Sequence, residues 1–371
     1  MKASRILPRP RLLLVSAAAT LALAATAASA AAGHGKPGEV YTLTNAAGGN
    51  AVAVFDRAAD GSLTSAGLVP TGGLGTGGGL GSQNALVLSE DGKRLFAVNA
   101  GSDTVSAFSV DKDGLTLLGA PVSSGGTDPI SLTADGKVLY VLNAGSPGNI
   151  TGFRIGKTGL TPIPGSTRPL SGAAVGPAEV QFSPNGKLLV VTEKGTNTID
   201  TYVVDHDGLT TGPTSQASAA ATPFGFAFAE NGRLIVSDAV GGAPGASGLS
   251  SYDVSKSGVL VTITPFLADT QTAACWVVIT NNGRFAYTTN TGSASISTYG
   301  IGDGGSLTLL SAVGGTTGST PTDADLSRDG RYLYAHISGA ISAFRVGTDG
   351  SLASVAGAGG LPAGSVGIAA S

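Results

Sequence analysis

Seven times along the chain an apolar branched residue is followed three positions later by an aromatic: Val52/Phe55, Val105/Phe108, Ile150/Phe153, Ile199/Tyr202, Leu249/Tyr252, Ile296/Tyr299 and Ile341/Phe344. Soon after each pair comes a glycine turn leading to a leucine: Gly61–Leu63, Gly114–Leu115, Gly159–Leu160, Gly208–Leu209, Gly258–Leu260, Gly305–Leu307 and Gly350–Leu352. A unit of about fifty residues made of short β runs and turns cannot bury its apolar faces alone, whereas stacking such units in a ring does. That is the mark of propeller blades. Seven copies predict a seven-bladed β-propeller.

Inside each repeat the order of signals is constant. An alternating apolar run ends in a small residue, as in LVLS to Ser89, VQFS to Ser183 and ADLS to Ser327. A turn dipeptide follows: Asp91-Gly92, Asp135-Gly136, Asn185-Gly186, Asn231-Gly232, Asn282-Gly283 and Asp329-Gly330. Such dipeptides accept positive φ and favour tight hairpins. A second apolar run, the aromatic-marked run and the glycine-turn run complete four antiparallel strands per blade. No stretch carries capped helical periodicity, so the fold class is all-β. The ends are irregular. The propeller opens on a second strand, VYTLTN to Asn45, with no innermost strand before it, and its last residues, Val366 to Ser371, resemble the missing one. The C-terminal strand is therefore expected to close the ring and remove two exposed sheet edges.

Residues 1–30 read as a secretory signal peptide. Lys2, Arg5, Arg9 and Arg11 precede an apolar run from Leu12 to Ala27, and Ala28-Ser29-Ala30 supplies a small-residue cleavage pattern. Residues 31–37 then form a flexible leader and 38–371 the propeller, expected to be secreted to the periplasm or beyond as a monomer. Nothing later is long and apolar enough to span a bilayer. Cleavage leaves 17 basic against 24 acidic residues, a net charge of −7. With no Lys/Arg cluster, that balance argues against nucleic acid and anionic membrane as partners. Cys275 is the single cysteine, so no intramolecular disulfide forms.

In such blades the start of the innermost strand and the end of the second meet at one face of the ring. The first set falls at Ala85, Pro129, Glu179, Gly225, Trp276, Asp323 and Gly367, the second at Asn45, Asn99, Asn143, Glu193, Asp238, Asn290 and His336. The second set is wholly polar. Asn and Asp cap strand ends well, yet a polar ring at one depth also describes a wet mouth, where Asn99, Asn143 and Asn290 would contact substrate. Glu193 and His336 interrupt the Asn/Asp pattern.

The segments PAEVQFSPNGKLLVVTEKGTNTIDTY (Pro177 to Tyr202) and ACWVVITNNGRFAYTTNTGSASISTY (Ala274 to Tyr299) are joined by two YVTN-like strings, FAVNAGSDTVSAF and YVLNAGSPGNITGF. Together they resemble the repeats of the lactonase-type seven-bladed propellers, the family named for 6-phosphogluconolactonase and loosely related to muconate cycloisomerases. The resemblance spans essentially everything after the leader. It implies opening of a lactone ring, or a related lactonising reaction, in the central cleft. Cycloisomerase-type sites hold a polycarboxylate with several cations, whereas Lys194 is the one obvious cation at these mouth positions. A phosphorylated or polyacidic substrate therefore fits poorly. Because this fold serves many functions, the alternative is a non-catalytic secreted propeller that binds a sugar, peptide or surface partner.

Hydrolysis of a cyclic ester needs a base to activate water and a positive group or a metal to stabilise the oxyanion. Of the three histidines, His34 lies in the leader, His206 in the turn Asp205-His206-Asp207-Gly208, and only His336 on the polar ring. Asp323 starts the strand that the Asp329-Gly330 turn folds against His336, and is expected to orient the imidazole. Glu179 and Glu193 lie on paired strands with Lys194 adjacent, a second candidate set for acid–base work. Glu193 and Asp238 from neighbouring blades are candidate ligands for Ca²⁺. Trp276 offers a stacking face for a sugar or lactone, and Cys275 beside it is either core or a reactive thiol. Gly73–Gly78 and Gly241–Gly248 are not followed by a helix or by Gly-Lys-Ser/Thr, and read as mobile loops able to gate the mouth. No GxSxG elbow is present.

Overall fold

The turn dipeptides behave as their chemistry allows. In the computed structural model, which describes Met1 and residues 37–371, Gly92, Gly136, Gly186, Gly232, Gly283 and Gly330 all take positive φ, between 53° and 83°. Each closes a hairpin between the first and second strands of a blade. The expected signal peptide and His34 lie outside the described residues.

Seven antiparallel sheets result. Blade one holds Gly38–Leu43, Ala51–Arg57 and Leu63–Pro70, with the C-terminal Val366–Ala370 as its innermost strand. Blade two comprises Leu86–Leu88, Arg94–Asn99, Thr104–Asp111 and Gly114–Leu117; blade three, Pro129–Asp135, Val138–Asn143, Asn149–Gly156 and Gly159–Pro162. Blade four runs Pro177–Phe182, Leu188–Glu193, Thr198–Val204 and Thr210–Ala217; blade five, Pro223–Phe228, Leu234–Asp238, Gly248–Val254 and Leu260–Ala268. Blade six is Ala274–Ile279, Phe285–Asn290, Ser295–Ile301 and Leu307–Thr316; blade seven, Pro321–Leu326, Tyr332–Ile337, Ala340–Val346 and Leu352–Gly359. Blades two and three each add a two-residue strand, Val122–Ser123 and Arg168–Pro169. Among the described residues the helical pieces are two three-residue 3₁₀ turns, Ala100–Ser102 and Val240–Gly242. Among the described residues no helix is long and apolar enough to cross a membrane.

The aromatic of every repeat lies on the third strand of its blade and is 2% exposed or less. At Gly61, Gly208, Gly258, Gly305 and Gly350 the glycine turn that follows packs on the preceding blade. At Gly61, φ is +86° and a Cβ would stand 2.2 Å from the Tyr332 ring of blade seven, so conformation and space both demand glycine.

Closure by the C-terminal strand is a full element of the fold. Val40 pairs with Ala370, Tyr41 with Ala369 and Leu43 with Val366. The Ser371 amide donates to Glu39 O at 2.8 Å, and Arg57 Nη2 donates to Ser371 O at 3.0 Å. Val366 and Ile368 are buried, worth roughly 3–6 kcal/mol together, a large share of a typical folding free energy. Deleting residues 364–371 should therefore cause aggregation, or lower Tm by about 10 °C, in a thermal melt against the full chain. A truncated protein that melts with the full-length one would refute the closure.

Candidate active site at the mouth of the ring

A ring of blades leaves a hole on its axis, and here the chain between blades one and two crosses it. Ser82 Oγ donates to Ile130 O at 2.7 Å, and Gln83 N to Ala178 O at 3.1 Å. The Gln83 side-chain amide bonds the backbone of Val277 both ways, Nε2 to O at 2.9 Å and Oε1 to N at 3.1 Å. Asn84 Nδ2 donates to Glu179 Oε1 at 2.7 Å, and Trp276 Nε1 to Ser82 O at 2.9 Å. These partners belong to blades three, four and six, so residues 82–84 form a plug. Gly225 leaves room for it, since a Cβ there would fall 2.1 Å from Gln83 Oε1. The detour shortens the inner strand of blade two to Leu86–Leu88.

Residues 79–82 line one cavity of about 540 Å³, together with Trp276, Thr320, Thr322, His336, Ser338, Ala363, Ser365 and Val366. Its wall contains no Asp, Glu, Lys or Arg. His336 is 1% exposed. Its Nδ1 lies 2.6 Å from Thr322 Oγ1 and its Nε2 2.9 Å from Ser365 Oγ. The Ser365 hydroxyl already donates to Pro362 O at 2.6 Å, so it accepts from Nε2–H. The bare Nδ1 then accepts from the Thr322 hydroxyl. Burial without a carboxylate partner pushes the imidazole down to about 4. The ring is neutral at physiological pH.

Asp323 pairs with His336 in the ladder, as the sequence suggests, but it is not the ring's partner. A bulge between Pro321 and Asp323 brings Thr322 to the imidazole instead. Asp323 is buried, accepts from its neighbour Ala324 N at 2.8 Å, and faces the amides of Asn84 and Ile368. Glu179 accepts from Phe226 N at 2.6 Å besides Asn84. Burial raises both carboxyls well above their usual range, helped in Glu179 by the charge of Asp323. Both hold the plug and its surroundings; neither lines the cavity.

The remaining candidates are dispersed. Glu179 pairs with Thr192 and Glu193 with Pro177, so the two glutamates lie on opposite faces of blade four. Glu193 accepts from the Ser171 amide and hydroxyl and from Thr196 Oγ1. Lys194 donates to Gly81 O and sits 4.4 Å from the Phe224 ring centre, and burial lowers its ammonium to about 8. Phe224 in turn meets Trp276 edge-on at 5.3 Å. Asp238 is buried in blade five beside Ser250 and Ser218, and burial raises it to about 8. Glu193 and Asp238 are thus engaged separately, and among the described residues no three His, Cys, Asp or Glu side chains are grouped to hold a metal. Asn99, Asn143 and Asn290 are fully buried. Asn99 and Asn290 bond hydroxyls of their own blades, and Asn143 bonds Asn149 and Ser124 O, so none reaches the cavity. Cys275 is core, its thiol raised to about 11 by burial. Gly73–Gly78 is fastened rather than free: Gly75 N and Gly77 N donate to Ala46 O and Asn45 O at 2.9 and 2.7 Å.

Fold and cavity define a lactonase-type propeller. The family described as "Lactonase, 7-bladed beta-propeller" matches residues 40–162 and 158–242, more than half of the chain, and the chain belongs to it. No curated protein matches the sequence. Among solved structures, a candidate 6-phosphogluconolactonase from Bacteroides fragilis superposes with a TM-score of 0.71 at 20% identity, covering 92% of this chain and 100% of that one. The periplasmic gluconolactonase of Pseudomonas aeruginosa superposes with a TM-score of 0.65 at 18% identity, over 89% and 98% of the two chains. A protein from Lactobacillus plantarum gives 0.72 at 17% identity, over 90% and 99%. At these identities the likeness is one of fold.

The buried carboxyls make a prediction about stability. Asp200 and Asp325 are raised to about 7 by burial and Asp238 to about 8, with Glu179 and Asp323 shifted the same way. The folded chain keeps these protons after the unfolded chain has lost them, so stability falls as pH rises from about 4 through 8. His336 acts oppositely, but only between its folded value of about 4 and the ordinary imidazole value of 6.5. Tm should therefore drop between pH 6.5 and 8.5 in a buffer-matched series. A Tm that rises over that interval contradicts the protonated state of these acids.

Proposed function

We propose that this chain is an exported hydrolase that opens an uncharged lactone in the cavity between Trp276 and His336. One observation carries the reading: a neutral imidazole with an acceptor nitrogen directed at a hydroxyl, in the wall of a cavity of about 540 Å³ without charged residues. A phosphate or carboxylate on the substrate would find no Lys or Arg in that wall, whereas a hydroxylated ring finds Ser82, Thr320 and Ser338, with Trp276 beside them. The amides of Gly79 to Ser82 have no acceptor among the described residues, and their loop borders the cavity, so they are the donors for a developing oxyanion. The basic start, apolar run and Ala-Ser-Ala pattern of residues 1–30 support export. Asp323 and Glu179 serve this reading indirectly, by fixing the plug on which the loop rests.

The test is a panel of γ- and δ-lactones with and without a phosphate group, followed by pH indicator and by product chromatography. Uncharged sugar lactones should be opened in preference to their phosphorylated counterparts. His336→Ala should lower kcat by about 10²- to 10⁴-fold, with circular dichroism confirming that the variant is folded. Because the imidazole protonates only near 4, the wild-type rate should hold from pH 7 down to about 5 and halve near 4. The binding-module alternative predicts saturable association with a sugar and no lactone turnover at any pH. That result would replace the hydrolase reading.

A further inference from the structure

We propose that Thr322 is a covalent nucleophile, so that the lactone is opened through an ester on its Oγ1 rather than by direct attack of water. The inference rests on the hydrolase reading above and deepens it. Three facts converge. The hydroxyl of Thr322 is 2.6 Å from His336 Nδ1 and has no other hydrogen-bond partner among the described residues. The opposite nitrogen is fixed as the donor by Ser365, whose own proton goes to Pro362 O, so Nδ1 is the lone-pair side. Exposure also divides the roles: His336 is buried, while Thr322 is only partly buried and lines the cavity. A substrate carbonyl reaches the threonine hydroxyl more readily than a free water reaches the base behind it. Nucleophile, base and orienting group in a line is the general requirement for covalent catalysis by a hydroxyl.

The step balances without any further reactant. Thr322 Oγ1 bonds to the lactone carbonyl carbon as its proton passes to His336 Nδ1, and the carbonyl π pair moves onto oxygen. Collapse of that oxyanion breaks the bond to the ring oxygen, which takes the proton back from Nδ1. The product is a hydroxyacyl ester on Thr322, with no leaving group lost because the ring oxygen stays tethered. Water then gives its proton to Nδ1 and attacks the ester, and Thr322 Oγ1 departs with that proton. The sum is lactone plus water to hydroxy acid.

The experiment is rapid acid quench during turnover of δ-valerolactone, followed by intact-mass and peptide mass spectrometry. The wild type should carry an increment of one whole lactone on the peptide containing Thr322. Thr322→Val, which keeps shape and removes the hydroxyl, should lose the adduct and about 10³-fold or more in kcat. Thr322→Ser should retain both adduct and measurable turnover, which a merely structural hydroxyl would not explain. Circular dichroism and Tm confirm that each variant is folded. Turnover in Thr322→Val within about threefold of wild type, with no adduct in either, overturns the proposal and leaves the hydrolase intact. If no lactone is opened, the hydrolase reading fails, and p-nitrophenyl acetate then probes the nucleophile alone. Acetylation of Thr322 that vanishes in Thr322→Val upholds it, and no acetylation overturns it.

Discussion

A ring of seven sheets has an axis that no strand occupies, and the filling of that axis positions everything at the mouth. The plug at residues 82–84 inserts polar backbone and two amide side chains where surrounding strands are already paired with one another. Each inserted group therefore needs its own partner, because an unpaired buried polar group costs about 1–3 kcal/mol. Gln83 answers this by imitating a peptide unit against Val277. Asn84 answers it with Glu179, whose second oxygen takes Phe226 N. Glu179 and Asp323 are both buried around that axis, and desolvation raises both carboxyls, with the charge of Asp323 adding to the shift of Glu179.

The ring around that plug is held by a recurring contact between neighbours. Tyr140, Tyr287 and Tyr334, all on second strands, donate to the carbonyls of Gly208, Gly350 and Gly61 at 2.8, 3.0 and 2.9 Å. Each acceptor is the glycine turn of the next blade. In blade four Thr201 plays the same part from the third strand, donating to Gly258 O at 2.9 Å. The glycine turn is thus both the site of a backbone that other residues adopt poorly and the socket for the preceding blade. The last of these contacts, Tyr334 to Gly61, spans blade seven to blade one and works with the C-terminal strand to close the circle.

Blade count, strand order and closure were legible because each is written as a periodic pattern of burial and turn chemistry that seven copies repeat. His336 and Trp276 were legible as singular residues at the right strand positions, and both do line the cavity. The rest depended on features with no periodicity. Thr322 lies next to the residue that cross-strand counting selects, and a one-residue bulge exchanges their roles. Ser365 approaches His336 from the turn before the C-terminal strand, 29 positions away. The plug left one trace, the polar Gln83-Asn84 ahead of a short inner strand, which reads as an ordinary loop. The buried asparagines show the opposite failure. Asn99 and Asn290 look like a wet ring by composition, yet each bonds a serine seven residues later on the next strand.

What surrounds the histidine sets the chemistry open to it. A carboxylate against the ring would favour the imidazolium, raise its basicity and make the site sensitive to pH near neutrality. Two hydroxyls do neither: they fix tautomer and orientation while burial alone sets the charge balance, toward the neutral ring. Such a base is weak, so it gains most when the proton it takes belongs to a group already held at hydrogen-bond distance, with no solvent to reorganise. Thr322 meets that condition at 2.6 Å. The bulge between Pro321 and Asp323 thus sets a hydroxyl rather than a carboxyl against the imidazole, and the Asp323 carboxyl becomes part of the support of the plug.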